Sequence, residues 1–258
     1  MLPDFVYQWA ESSIFLFVLF VTGTIALAAH LLFRCQWITA RAVWFDTMSP
    51  VLQSLCGTMF ALAVSFLASS VWQTEDTAKQ LVDEEARGIR LIRTYLDSAF
   101  GPGADNVQNL LPGYVDAVIA EWPRMESQDV ALIGEQRLTS IYRATISQLA
   151  DGELNHSLQQ RILGALDGLS RARQGRLTIA NEHVSDGQWS TVFSLAFLLI
   201  LVIAICHAKS VRARVIALTI ITTAITVSLS VILAHDRPFV GRLAITPQPI
   251  LDAMGPAK

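Results

Sequence analysis

The stretch from Pro50 to Phe100, PVLQSLCGTMFALAVSFLASSVWQTEDTAKQLVDEEARGIRLIRTYLDSAF, decides the fold. Its first part, up to Trp72, carries no charged residue, and at about 20 residues it is long enough to cross roughly 30 Å of hydrocarbon as a helix. Beyond Trp72 the composition turns polar, yet Leu81, Ile89, Ile92 and Leu96 recur at helical spacing and no proline interrupts them. One continuous helix of about 75 Å follows, a membrane span at one end and an extramembrane helix at the other.

Working outward, three more stretches approach the same length: Ile14 to Phe33, Thr191 to His207, and Val215 to Ala234. The whole chain of 258 residues is 52% hydrophobic and 16% charged. Its mean hydropathy of +0.44 is too apolar for a soluble domain of this length. The net charge of -3 speaks against nucleic acid as a partner and leaves the lipid bilayer as the first one. The first span follows Asp4 and Glu11 without Lys or Arg and lacks a cleavage signal, so it is expected to remain in the protein.

About 115 residues separate the second and third spans. Leu138, Ile141, Ile146 and Leu149 repeat the helical spacing there, no run alternates like a strand, and breaks fall at Gly101 to Gly103, Trp122 to Asp129, Asp151 to Gly152 and Ser185 to Gly187. The fold class is an all-α membrane protein with four transmembrane helices and a helical extramembrane domain inserted between spans 2 and 3. The expected divisions are 1–72 for spans 1 and 2, 73–188 for the helical domain, 189–234 for spans 3 and 4, and 235–258 for a C-terminal tail.

Two stripes in the spans carry a choice of roles. Span 4 places Thr219, Thr223, Thr226 and Ser230 at offsets of four, three and four, with Thr222 adjacent. Such a ladder serves interhelical packing or lines a wetted path. Span 2 has Gly57, Ala61, Ser65, Ala68 and Ser69 at small-residue spacing, which suits a helix-packing seam, beside the bulkier Phe60, Val64 and Leu67. In an oligomer, Phe60 and Phe66 are candidates for a hydrophobic pore constriction.

Nothing in the chain assembles a catalytic or cofactor site. Cys35, Cys56 and Cys206 lie in or beside apolar runs, the five histidines lack partners at ligand spacing, and no G-x-S-x-G, phosphate-binding loop or H-E-x-x-H occurs. An enzyme, a metal site and a cofactor are therefore not expected.

The tail and the insert carry the remaining signals. After His235 come Asp236, Arg237, Pro238, Phe239 and Gly241, in which Pro238 ends the helix, Gly241 permits a turn and Phe239 offers apolar surface. This is the chemistry of a tail that docks. Glu85 lies thirteen residues beyond Trp72 and Arg176 thirteen before Trp189, so upright antiparallel helices bring them to similar heights, about 20 Å from the interface. Glu84 or Glu85 is then expected to pair with Arg173 or Arg176.

The blocks CGTMFALAVSFLASSVWQTEDTAKQLVDEEARGIRLIRTYL (Cys56 to Leu96), AEWPRM (Ala120 to Met125), SRARQGRL (Ser170 to Leu177) and HDRPFVGRLAITPQP (His235 to Pro249) resemble, in order and spacing, the bestrophin-like domain family of bacterial membrane proteins. The motif residues are Glu84, Glu85 and Ala86, and Asp236, Arg237, Pro238, Phe239 and Gly241. The resemblance implies a homo-oligomeric channel for small anions whose neck is lined by the second span. The other class left open is a non-conducting sensor or scaffold whose helical domain binds a partner. Only Asp236 is acidic between His235 and Leu251, so the acidic calcium clasp of animal bestrophins is not matched. Arg34, Arg41, Lys209, Arg212 and Arg214 in the short loops would place the helical domain outside the cytoplasm. The resemblance implies the reverse, an inner-membrane protein with a cytoplasmic helical domain.

Overall fold

The structure is a computed structural model that describes residues 11–34, 49–101, 105–125, 131–151 and 155–255. Asp4, Cys35, Arg41, and the break residues at 102–103, 126–129 and 152 lie outside the described residues. Every regular element described is a helix: α1 (Glu11–Leu32), α2 (Ser49–Phe100), α3 (Asp105–Gln108), α4 (Leu111–Glu121), a 3₁₀ turn (Trp122–Arg124), α5 (Ala131–Asp151), α6 (His156–Ala180), α7 (Asp186–Cys206), α8 (Val211–His235) and α9 (Gln248–Asp252). Four of them, α1, α2, α7 and α8, are long and apolar enough to cross a membrane. The single helix expected from Pro50 onward is α2, whose 52 residues extend about 78 Å.

Helix ends follow local chemistry. Ser185 and Gln188 form a reciprocal capping box at the start of α7, which fixes the third span's beginning at the Ser-Asp-Gly break. Ser210 caps α8 and Asn155 caps α6, each by accepting a backbone N–H through its side chain.

Contacts group the chain into two compact units. The first comprises Met1–Gln73, His183–Arg237 and Gly241–Leu243; the second comprises Thr74–Glu182, Pro238–Val240 and Ala244–Lys258. In the first unit α1 packs antiparallel to α8: Thr22 meets Thr226 near the middle of both helices, and His30 meets Arg214 near one end. Val18, Leu199, Ile203, Ile225 and Leu229 fill its interior.

In the second unit the polar half of α2 runs antiparallel to α6. A Cβ on Gly88 would lie 3.0 Å from Leu169 Cβ and 3.2 Å from its Cα, so glycine there allows the two backbones to approach closely, while one on Gly175 would lie 2.7 Å from Leu81 Cδ2 and would force that side chain to shift. Around this seam Ile89, Ile92, Leu96, Leu111, Ile141, Ile162 and Leu166 form a closed core. One detail of the sequence reading is corrected here. Ile146 is exposed, while Thr145 is buried between Leu138, Ile141 and Leu149. The face of α5 steps from 138 through 141 and 145 to 149, and residue 146 lies about 100° off it.

Candidate functional site

The centre of the helical unit is ionic. Arg173 and Arg176 stand one turn apart on one face of α6 and point inward, and both are fully buried. Arg176 grips Glu85 of α2 with Nε to Oε2 at 2.6 Å and Nη2 to Oε1 at 3.2 Å. Tyr114 of α4 donates its hydroxyl to the same Glu85 Oε1 at 2.5 Å. Arg173 instead forks onto Glu121, with Nη1 to Oε2 and Nη2 to Oε1 both at 2.9 Å. Glu121 also accepts the backbone N–H of Gly134 at 2.8 Å. That donor lies near the start of α5, where the helix dipole favours a negative charge.

The network satisfies its charges from within. Two carboxylates face two guanidiniums, the Arg176 guanidinium lies over the Trp122 ring at 4.9 Å, and Arg173 lies over Tyr114 at 5.9 Å. Burial, reinforced by the charge of Glu85, pushes the Tyr114 hydroxyl well above its usual range. Burial works against the charge on Arg173, but the hydrogen bond to Glu121 and the neighbouring charges outweigh it and leave the group held more firmly protonated. Such an arrangement can lock α2, α4, α5 and α6 in register. Among the described residues, no group of three or more His, Cys, Asp or Glu side chains is arranged to hold a metal ion.

The expectation for this region named Glu84 or Glu85 against Arg173 or Arg176. Glu85 and Arg176 are brought together, whereas Glu84 is exposed and Arg173 is taken by Glu121. The sequence reading missed Tyr114 and Glu121. The available signal was their seven-residue separation on the face of α4 that also carries Ala117 and Val118, since a carboxylate in line with apolar neighbours needs a buried partner.

The tail motif is divided between two tasks. Asp236, at the end of α8, is buried and accepts the backbone N–H of Val184 at 2.8 Å, which ties down the segment leading into α7. Arg237 is half-buried. Within the helical unit, Pro238 is buried and Phe239, 8% exposed, packs edge-on against Trp122 with ring centroids 5.6 Å apart. Pro238 accepts the Ile245 N–H at 2.8 Å, while the Ile245 carbonyl accepts the Trp122 indole N–H at 3.0 Å. Gly241, at φ +94°, supplies the left-handed conformation that the intervening turn needs. Farther along, Ile250 is buried in the core and Arg93 donates to the Ala253 carbonyl at 3.1 Å.

The membrane half redistributes the candidate lining residues. On α2 the inward face is the bulky one, with Phe60, Leu67 and Val71 buried, while Ala61, Ser65 and Ser69 are exposed. Within the single chain the bulky row of α2 therefore faces inward, and Ala61, Ser65 and Ser69 of the small-residue row face outward. Phe60, at 8% exposure, is withdrawn from the candidate constriction, whereas Phe66 is 74% exposed. On α8 the hydroxyl ladder splits. Thr226 and Ser230 are buried with Thr222, and Thr226 shares a 2.8 Å hydrogen bond with Thr22, whereas Thr219 and Thr223 are exposed. Mixed offsets of four and three turn a row gradually around the helix, so one end reaches the interior and the other leaves it.

Comparisons with known proteins give a consistent picture. A crystal structure of a bacterial bestrophin homologue from Klebsiella pneumoniae matches with a TM-score of 0.71 at 12% identity, covering 93% of this chain and 97% of that one. A second structure of that homologue gives 0.69 at 14% identity, covering 93% and 98%. A further crystal structure of a membrane protein gives 0.70 at 13% identity, covering 93% and 98%. At these identities the likeness is one of fold. Curated protein sequences give no match. The bestrophin-like domain model matches residues 15–250. Its span takes in the long helix, the buried ionic network and the Asp-Arg-Pro-Phe-x-Gly tail, and the chain belongs to the bestrophin-like domain family.

Proposed function

We propose that this membrane protein of the bestrophin type is one subunit of a homo-oligomeric channel whose pore is lined by the apolar half of α2. The observation that carries the proposal is the coverage of that helix. Only 11% of its most apolar window is buried, against 28% for α1 and 39% for each of α7 and α8. Opposite the buried row of Phe60, Leu67 and Val71 stand Thr58, Leu62, Ser65 and Ser69, flanked by Leu55 and Phe66. A surface that alternates hydroxyls with bulky apolar groups suits a pore that is wet in places and narrow in others better than it suits lipid. Small anions are the permeant class implied by the resemblance to bestrophins, and the chain acts without a catalytic site or cofactor. The helical unit is placed in the cytoplasm, with the spans in the inner membrane.

The test is reconstitution into liposomes with measurement of chloride efflux and, in parallel, of the oligomeric mass. Flux through an oligomer that rises when Leu62 or Phe66 is replaced by alanine supports the proposal. A monomer or dimer without flux overturns it and returns the chain to the scaffold reading. Protease protection in right-side-out and inverted vesicles decides the side that carries the helical unit.

A further inference from the structure

The helical unit holds a polar cavity that the ionic centre does not use. Its volume is about 590 Å³, and its walls include Arg90, Arg93 and Asp97 of α2, Gln108 of α3, and Asp252 and Gly255 of the tail. All of them lie in the second compact unit. The size falls within the roughly 300–1,000 Å³ of small-molecule sites. Helical spacing sets the α2 wall: Arg90, Thr94 and Asp97 follow one another at steps of four and three residues and turn away from the core face of Ile89, Ile92 and Leu96.

The tail wall is held in place by α2 itself. The Arg93 guanidinium donates through Nη1 to the carbonyls of Ala253 and Met254, and Ile250 and Ala253 are buried in the core. Gly255, at φ +74°, turns the chain where a Cβ would lie 3.8 Å from Arg93 Nη1. Gln248 donates to one carboxylate oxygen of Asp252 at 2.8 Å, which fixes that group and leaves its second oxygen as an acceptor. Thr94 and Ser98 donate their hydroxyls back to the Arg90 and Thr94 carbonyls, so toward a ligand their oxygens act as acceptors too.

We infer that this cavity binds a polar α-amino acid, with its carboxylate on Arg90 and Arg93 and its ammonium on Asp97 and Asp252. The two signs of charge decide the class. A plain anion gains the guanidiniums but meets two carboxylates, and a plain cation meets the reverse, whereas a zwitterion satisfies both sets. Arg93 and Asp97 stand one turn apart, about 6 Å along the helix, close enough for one small molecule to reach both. Among the described lining residues the one apolar side chain is Ala253, and the Gln108 amide, a donor and an acceptor together, suits a ligand side chain that carries an amide or a hydroxyl. A ligand that touches Arg90 and Asp252 joins α2 to the tail. None of these residues lies in the apolar half of α2, so the site stands whether or not the chain conducts.

The test uses the full-length protein in mild detergent with L-asparagine and L-serine as probes, read by isothermal titration calorimetry and by limited proteolysis of the tail. Both amino acids are expected to bind, and L-asparagine to slow cleavage of the tail. Two analogues of asparagine, succinamate without the ammonium and β-alaninamide without the carboxylate, are each expected to bind at least about tenfold more weakly. Arg90→Gln and Asp97→Asn, both at exposed positions, should each lose about tenfold in asparagine affinity with the melting temperature unchanged, while Arg161→Gln, exposed on α6, leaves binding unaltered. Absence of binding by both amino acids at about 10 mM, or wild-type affinity in either Arg90→Gln or Asp97→Asn, overturns the inference. Succinamate bound as tightly as asparagine overturns the amino-acid assignment in favour of an anion site. Unchanged tail cleavage at saturating asparagine overturns the part given to Asp252.

Discussion

Replacing Glu85 by glutamine tests the ionic centre most directly. The variant keeps the shape of the side chain and removes its charge, leaving Arg176 in a site where neither partner has any exposed surface. Breaking one member of a buried pair costs about 3–5 kcal/mol, because the remaining charge stays desolvated and uncompensated. For a unit of this size each kcal/mol moves the melting temperature by about 2–4 °C, so a fall of roughly 6–20 °C is expected. Unfolding of the detergent-solubilised protein, followed by circular dichroism, reads it. Arg176→Met alone should cost a similar amount, since it strands Glu85, and the double variant should cost clearly less than the sum. A coupling of roughly 1.5–3 kcal/mol is expected between Glu85 and Arg176, and likewise between Glu121 and Arg173. The crossed cycle between Glu85 and Arg173 should fall below about 0.5 kcal/mol because each has a different primary partner. A shift under about 2 °C for Glu85→Gln, or equal coupling in direct and crossed cycles, would refute the pairing as a structural lock.

Three further outcomes are expected. Gly134→Ala should destabilise the protein by about 1–3 kcal/mol, because its Cβ would lie 2.5 Å from both Arg173 Nη2 and Glu121 Oε1, whereas Gly168→Ala meets nothing within 4 Å and should stabilise α6 by roughly 0.4–1 kcal/mol. Thermal melts of the two variants side by side check the contrast. Tyr114→Phe should cost about 1–3 kcal/mol at neutral pH by leaving Glu85 short of a donor. Because the folded state raises the Tyr114 pKa, its contribution is complete below about pH 10 and is lost as the pH climbs toward the folded value; stability measured from pH 8 to 11 should show the gap to wild type narrowing above about pH 10. Phe239→Ala should lose about 3–5 kcal/mol from the edge-on contact with Trp122 and the cavity left behind, and limited proteolysis should then cut the tail first.

The sequence alone determined the elements and their order. Four apolar runs, one charge-free stretch continuing without proline into Leu81, Ile89, Ile92 and Leu96, and a break at Ser185 to Gly187 are local properties of the chain. They act over one or two turns of helix, so they can be read without knowing any partner. Glu85 with Arg176 was also legible, because counting residues along antiparallel helices converts sequence into height. Tertiary structure decided what depends on rotation about a helix axis and on partners distant in sequence. It turned Phe60 inward and left Phe66 and Ser65 outward, and it divided the hydroxyls of α8 between Thr226 in the interior and Thr223 outside. It also gave Arg173 to Glu121, a residue 52 positions away on another helix. An apolar span is greasy on every side, so periodicity does not mark its inward face as it does on a soluble amphipathic helix. Only the packing of α1, α7 and α8 selects that face, and only the approach of α4 to α6 brings Glu121 within reach of a guanidinium.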